Sequence, residues 1–400
     1  MKIYYFSIYD VFRARTNQIA DMRLCEGFAQ AGCDVELISP WVYRRDNMQV
    51  NQVFSYYGIE TPFRLKVLKT PFVDEMSPLF VLPLMVLHAL FSCLRIWLTN
   101  LGRLGEVVII SQTTDLLIPA LLIKKASFSR GGPLIVSWAH DISLRKRYAW
   151  VYRRVDAIVG TNSAITEDLS RELGIGRERL AISLNPVSES QVRNPLSRQA
   201  ARARLNLKIS EPLVVYTGKF FVGNKEIEYI LEAARRLPGY QFLFTGGKDG
   251  PVQHYRTHCA REGIRNTTFV GFLHDYSQVR YYQAASDVLV SYYTSAEHLT
   301  RHQLPNKTCE YMLSGSPIVT CDYPATRDVL NPENAIFVAP ESADALTEGI
   351  RCAVENQDLA RRVARRALID VQSMTFRARA TQLAEFFRGL LSRSSGPSVA

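Results

Sequence analysis

Apolar residues recur along this chain in two alternating rhythms. Short continuous apolar runs are separated by stretches in which apolar positions return every three or four residues. In the first half the runs are Lys2–Ser7, Asp34–Ser39, Arg64–Leu68, Glu106–Ser111, Leu134–Trp138 and Ala157–Gly160. Their lengths, four to six residues each, predict short strands. The intervening segments Gln18–Ala31, Leu116–Ser127 and Ser163–Leu173 carry the helical period. Strands alternating with helices imply βαβ units, a parallel sheet and helices on both of its faces.

The rhythm breaks at Ser183-Leu184-Asn185-Pro186-Val187-Ser188, and the polar, Arg-rich stretch Gln191–Ser210 follows; an interdomain linker is expected there. The alternation then restarts, with strands at Leu213–Thr217, Gln241–Thr245, Thr268–Val270, Val288–Ser291 and Ile318–Cys321. Helices are expected at Glu226–Leu237, Val252–Glu262, Asn306–Ser314, Ala343–Glu355, Leu359–Val371 and Phe376–Leu391. The pattern predicts a first Rossmann-like domain over 1–190 and a second over 191–374. Residues 375–400 form a C-terminal helix and a frayed tail. Two doubly wound domains in tandem would face each other across a cleft, with ligands beyond the carboxyl ends of the strands.

Length and composition narrow the class. Four hundred residues exceed one ordinary core, and 47% hydrophobic with 22% charged residues is average globular usage. Seven cysteines stand singly with no C-x-x-C, which excludes a zinc ribbon or redox pair and favours a reducing compartment. The opening Met1–Ser7 reads as a first strand rather than a secretory signal, so a cytoplasmic location is expected. The net charge of +10 is spread over both halves. A diffuse excess suits an anionic small ligand or an anionic membrane surface, and no nucleic-acid-binding module is present.

Two constellations carry candidate chemistry. After the strand Leu213–Thr217, Gly218 turns the backbone, Lys219 sits at the strand end, and Lys225 falls in the first turn of the next helix. Two ammonium groups beside a helix N-terminus suit a diphosphate; two solvated surface lysines are the alternative. Further on, Pro305 opens a helix and Gly315 ends it, with Lys307 and Glu310 three residues apart. The cation there can meet phosphate and the carboxylate can accept hydrogen bonds from ribose hydroxyls, or the two form a surface pair. The glycines of Gly246-Gly247 permit close approach of backbone to a ligand. Tyr292 and Tyr293 border a base or sugar, or are packing.

Taken in register, Lys219 with Lys225, Gly246-Gly247, Val270-Gly271 and Pro305–Val319 resemble the C-terminal half of glycosyltransferase family 4. The resemblance covers about Leu213 to Phe387, and includes Thr375-Phe376-Arg377-Ala378-Arg379 before a returning helix. It implies the α/β GT-B fold and a retaining, nucleotide-sugar-dependent transferase. It places the donor's phosphates on Lys219 and Lys225 and its ribose on Glu310, with Gly218, Gly246 and Lys307 also in the donor site. It makes His140, in Ser137-Trp138-Ala139-His140-Asp141, the histidine that contacts the transferred sugar. The catalytic set is then His140, Lys219 and Lys225. Two departures stand out. The Lys219-to-Lys225 loop is one residue longer than the family's pattern, and His302 occupies the place of the first glutamate of its E-x₇-E pair. The first loop, Ile8–Asn17, lacks the family's Gly-Gly turn; Arg13, Arg15 and Asn17 are candidates for an acceptor or phosphate.

No Asp-x-Asp motif is present, so the expectation is no metal and no cofactor, with protein cations neutralising the departing diphosphate. The partners expected are a nucleoside-diphosphate sugar and a glycan or lipid-linked acceptor, as in surface glycan assembly. The rival readings are a sugar-nucleotide epimerase of the same fold and a non-catalytic sugar-nucleotide-binding partner of another transferase. Finally, the nineteen residues 76–94 carry no charge. They read as a membrane span, a buried crossover helix or a helix lying in the bilayer interface. With the nearby cluster Arg145-Lys146-Arg147 and Arg153-Arg154, the last would put the chain at the inner face of a membrane.

Overall fold

The structure is a computed structural model and describes residues 1–9, 11, 16–42, 50–70, 78–127, 132–140, 145–207, 210–273, 275–294, 301–302 and 304–394. The chain divides into two compact units, Met1–Ser183 with Thr375–Ala400, and Leu184–Met374.

Unit 1 is built on seven parallel strands: β1 (Lys2–Phe6), β2 (Asp34–Val42), β3 (Arg64–Thr70), β4 (Val107–Ser111), β5 (Leu134–Ala139), β6 (Ala157–Gly160) and β7 (Leu180–Ile182). They lie in the order β3-β2-β1-β4-β5-β6-β7, so the direction of winding reverses between β1 and β4. The central strands are buried on both faces, which is why their sequences are largely Val, Ile and other apolar residues. One face is covered by the helices Pro78–Thr99, Ile118–Ala126, Arg145–Tyr152 and Ser163–Leu173. The last shows how local sequence sets its ends. Asn162 Oδ1 accepts from the Ile165 N–H (2.9 Å), and Gly174 closes the helix at φ +67°, a conformation that favours glycine.

The other face is covered by the helices Thr16–Gln30 and Phe376–Ser394. Gly27 lets them touch: a Cβ there would sit 2.7 Å from the Phe376 carbonyl oxygen and 2.9 Å from Ala380 Cβ. Phe28 and Phe387, both fully buried, pack with ring centroids 6.2 Å apart. This contact returns the end of the chain to unit 1.

Between the ends of β1 and β4, where the winding reverses, lies a buried acid. Asp21 accepts hydrogen bonds from Tyr5 Oη (2.8 Å), Ser7 Oγ (2.5 Å) and Gln112 Nε2 (2.8 Å). Burial pushes its pKa up to about 6, against the pull of Ser7 and Tyr5. The folded chain therefore holds this proton more tightly than the unfolded one. Its contribution to stability is fully present below about pH 4 and is lost as pH rises through about 6. A proton held through about two further pH units is worth about 3 kcal/mol. Asp21→Asn is expected to flatten the stability curve between pH 4 and 6, read by urea unfolding across that window.

Unit 2 has six parallel strands: β8 (Leu213–Thr217), β9 (Gln241–Thr245), β10 (Thr267–Gly271), β11 (Val288–Ser291), β12 (Ile318–Cys321) and β13 (Ile336–Val338). Their order is β10-β9-β8-β11-β12-β13, reversing between β8 and β11. The division into units falls after Ser183, so the described residues of Gln191–Ser210 belong to unit 2. Within it the helix Arg198–Arg204 buries Ala201 against unit 2, and Arg198 and Arg202 grip Asp287 at 2.7 and 2.6 Å. Asp287 in turn accepts from the Leu213 N–H (2.8 Å), tying this segment to the start of β8.

The apolar segment 76–94 resolves in part: its described residues belong to the helix Pro78–Thr99, which carries the chain from β3 at the sheet edge to β4 at its centre. Among the described residues no helix is long and apolar enough to cross a membrane.

Candidate functional site

In a doubly wound sheet the strand order reverses at one point, and the loops leaving the strands there part to opposite faces, opening a crevice. In unit 2 that point is the carboxyl end of β8 and β11. Of the candidate residues, Gly218 follows β8 and Glu310 is tied to the end of β8 through Gln283, while Gly246 follows the adjacent strand β9 and Lys307 lies on the helix that carries Glu310.

Gly218 follows β8 at φ +150°, and a Cβ there would lie 3.3 Å from Tyr216 Oη and 3.7 Å from Lys307 Cδ. Its N–H donates to the Thr245 carbonyl (3.0 Å) and the Gly246 N–H to the Gly271 carbonyl (2.8 Å), so the loops after β8, β9 and β10 are laced together. Gly246, at φ +104°, is pressed against Gly218: a Cβ would stand 1.9 Å from the Gly218 carbonyl oxygen. At Gly246 the missing Cβ thus permits a close approach of backbone to backbone. Gly247 likewise leaves no room for a Cβ beside the Phe220 ring.

The helix Asn306–Met312 sits over these loops and is anchored on the last residue of β8. The Thr217 N–H donates to Tyr311 Oη (2.8 Å), and Gln283 Nε2 donates to both Thr217 Oγ1 (3.2 Å) and Glu310 Oε2 (3.1 Å). Gln283 thereby fixes the Glu310 carboxylate beside the end of β8. That carboxylate borders a depression shared with Arg280, Leu313 and Ser314.

Lys307, one turn earlier, goes elsewhere. Its ammonium lies 3.9 Å from the Tyr216 ring centroid and 4.9 Å from that of Tyr293. Glu226, half-buried, accepts from Tyr216 Oη (3.3 Å). Lost hydration pushes Lys307 down to about 8, with the Glu226 charge opposing the shift. Burial raises Glu226, with Lys307 and the Tyr216 hydroxyl pulling it back. The cation is therefore held by two aromatic faces beneath the Gly218 turn, and the nearby Glu226 charge favours its protonated form.

Lys219 and Lys225 are exposed around the same turn. The Tyr216 hydroxyl, whose one proton is shared with Glu226, also lies 3.4 Å from the Lys219 carbonyl oxygen, next to the end of β8. Lys225 is the first residue of the helix Lys225–Arg236, whose N-terminus is capped by Asn224 Oδ1 accepting from the Glu226 N–H (3.0 Å). The helix is fixed by an apolar stripe, Ile227, Ile230, Leu231 and Ala234, on the sheet. Two exposed ammonium groups and the positive end of a helix thus flank the crevice.

Sequence reasoning missed Glu226, Gln283 and Tyr216. The only signal for Glu226 was its place in the first helical turn; Tyr216 lies in the predicted strand Leu213–Thr217, and Gln283 in a segment to which the sequence assigned no element. Tyr292 and Tyr293 prove to be buried, Tyr292 Oη accepting from the Ser342 N–H (3.0 Å). Their role is packing, with Tyr293 supplying one of the faces under Lys307.

In unit 1, His140 follows β5 and stacks on Trp138 with ring centroids 6.5 Å apart and planes at 28°. Its edge is open to solvent, yet the protein around it removes enough hydration to push its pKa down to about 4, leaving a neutral imidazole at pH 7. Arg13 and Arg15 lie outside the described residues, as does Asp141; Asn17 is described only as helical backbone within Thr16–Gln30. Among the described residues no group of three His, Cys, Asp or Glu could hold a metal ion.

Residues 211–356 match the family model of the glycosyl transferases group 1. No curated protein matches the chain. Among solved structures it is similar to sucrose-phosphate synthase from Thermosynechococcus elongatus, at 18% identity and a TM-score of 0.72, covering 98% of this chain and 99% of that one. It is similar to HepE from Anabaena in complex with UDP, at 15% identity and 0.69, covering 97% and 100%. The apo form of the lipopolysaccharide outer core galactosyltransferase WaaB aligns at 16% identity and 0.67, covering 97% and 99%. At these identities the likeness establishes the fold.

Proposed function

We propose that the chain, whose residues 211–356 match the family model of the glycosyl transferases group 1 and whose two units have the GT-B fold, moves a sugar from a nucleoside diphosphate to an acceptor hydroxyl with retention of configuration. The observation that carries this reading is the convergence of Gly218, Lys219, Lys225 and Glu310 on the point where the unit 2 sheet reverses. There a carboxylate fixed by Gln283 suits two adjacent ribose hydroxyls, while Lys219, Lys225 and the helix end suit the diphosphate. A uridine diphosphate sugar is the first donor to try, since HepE has been solved with UDP and with UDP-glucose.

Cleavage of the glycosidic C–O bond leaves negative charge on the diphosphate, and two ammonium groups stabilise that charge more than they stabilise the bound donor. The departing phosphate oxygen takes the proton of the acceptor hydroxyl as that hydroxyl attacks from the same face, so configuration is kept and atoms balance. The neutral imidazole of His140 is suited to a hydrogen bond with a sugar hydroxyl and carries no charge to compete with the lysines. The acceptor is a glycan or a lipid-linked sugar, in surface glycan assembly on the cytoplasmic side of a membrane.

The test is incubation of the chain with each nucleoside-diphosphate sugar and a panel of glycan and lipid-linked acceptors, followed by NMR of the product. The expected result is a new glycosidic linkage with the donor's anomeric configuration. An inverted linkage would refute retention, and an epimerised donor without acceptor would replace transfer by epimerisation.

A further inference from the structure

From Met85 to Leu98 the helix Pro78–Thr99 carries apolar residues on the side that faces the sheet and on the side that faces away. Met85, Ala89, Cys93 and Ile96 are buried in the unit 1 core. On the opposite side Leu87, Phe91, Leu94 and Leu98 follow one another at spacings of four, three and four, and are 46%, 61%, 46% and 54% exposed. A helix that is hydrophobic all round is normally buried all round. Scattered exposed leucines need no explanation, but a contiguous patch does.

The patch extends to the neighbouring helices on the same face of the sheet. Ile118–Ala126 lies alongside, tied by Trp97 Nε1 donating to Ser127 Oγ (3.1 Å), and presents Leu122, 59% exposed. The helix Arg145–Tyr152 presents Trp150, 43% exposed, with exposed Arg147 one turn before it and exposed Arg154 in the turn that follows the helix. The Arg154 guanidinium lies 5.8 Å from the Trp150 ring centroid. Residues 78–127 and 145–156 carry nine Lys and Arg against three Asp and Glu. Of those acids, Asp156 is paired with Lys124 and Asp115 accepts from Tyr148 Oη (2.5 Å). Exposed Arg103, Lys125, Arg147, Arg153 and Arg154 therefore dominate the charge around the apolar stripe.

We propose that unit 1 docks through this helical layer onto an anionic lipid bilayer. The exposed stripe from Leu87 to Leu98 runs about 16 Å along the axis at 1.5 Å per residue, so the helix lies in the membrane plane with that face among the acyl chains. Trp150 takes the interfacial position that tryptophan favours, and the arginines meet lipid phosphate. Charge argues for this occupant over a second copy of the chain, because a self-complementary contact would set the basic excess against itself. The proposal stands on unit 1 alone and is independent of the donor reading of unit 2.

The test is co-sedimentation of the full chain with vesicles of phosphatidylcholine containing phosphatidylglycerol, and with phosphatidylcholine alone. Binding to the anionic vesicles is expected, weakening as salt rises. The double variant Phe91→Asp with Leu94→Asp should lower the partition coefficient at least about tenfold. Arg147→Ala with Arg154→Ala, which leaves the apolar stripe intact, should lower it about tenfold on anionic vesicles. Circular dichroism and donor binding should be unchanged in both. Absence of binding to anionic vesicles overturns the proposal, as does binding that ignores both the lipid charge and the substitutions. Conversion of a dimer to a monomer by Phe91→Asp with Leu94→Asp, without vesicle binding by the parent chain, overturns it in favour of self-association.

Discussion

Replacing Lys225 by alanine is expected to lower turnover about 10²–10³-fold, the range for removing one preorganised group that stabilises developing charge. Donor affinity should change much less. Lys225 is exposed at the first position of a capped helix and makes no packing contact that alanine would remove from the core, so the fold should survive. The charge on the diphosphate grows only as the C–O bond breaks, so a cation placed there acts mainly on the transition state. Lys219→Ala should behave alike, and the double variant should fall short of the product of the two, because both act on one leaving group. The measurement is kcat and KM for each variant with a single donor and acceptor. Unchanged kcat in both single variants would remove the lysines from the chemistry.

Gly246→Ala is expected to be as damaging through a different cause. At φ +104° an alanine is strained, and its Cβ would overlap the Gly218 carbonyl oxygen 1.9 Å away. Nothing flexible can move aside, since both partners are backbone. Relief must come from displacing the Gly218 turn, which also carries Lys219 and abuts Lys307. The substitution should destabilise unit 2 by about 2–4 kcal/mol and weaken donor binding. Urea unfolding and donor titration measure the two effects separately. A variant with full stability would show that the loops after β8 and β9 are not held together as described.

Much of the architecture was legible because buried parallel strands leave unmistakable runs. Leu213–Thr217, Gln241–Thr245, Val288–Ser291 and Ile318–Cys321 appear in the structure with the bounds that the apolar runs predicted. The two strands that sequence did not reveal, β7 at Leu180–Ile182 and β13 at Ile336–Val338, are three-residue edge strands in which only Val338 is buried. Three residues cannot display a period, and at a sheet edge burial no longer selects apolar residues at every position. The segment Gln191–Ser210 read as a linker because it is rich in arginine. What orders it is Asp287, distant in sequence, and no local pattern announces such a partner.

The candidate site divides along the same line. Gly218, Lys219, Lys225 and Glu310 were visible because strand ends, helix starts and turn glycines are local features. The destination of Lys307 was not. Spacing put it beside Glu310 on one helix face, whereas Tyr216, Tyr293 and Glu226, each from a different element, draw its ammonium away. For Gly246 the sequence spoke for a close approach but could not name the approaching group, which is the Gly218 carbonyl. His140 was legible as a strand-end residue, while its low pKa depends on how densely protein surrounds it.

Calorimetric titration with UDP-, GDP-, ADP- and dTDP-sugars, run in parallel on the parent chain and on Glu310→Ala, tests the account at its centre. One nucleoside-diphosphate sugar should bind the parent chain and, at a hundred times its Kd, stabilise it by about 2.7 kcal/mol against unfolding. The Glu310→Ala variant should bind that donor about 10–100-fold more weakly, as expected when a charged hydrogen-bond acceptor is removed, and should lose no affinity for inorganic diphosphate. Equal donor affinity in the two proteins, or no binding of any of the four donors to the parent chain, would contradict a donor site at the reversal point of the unit 2 sheet.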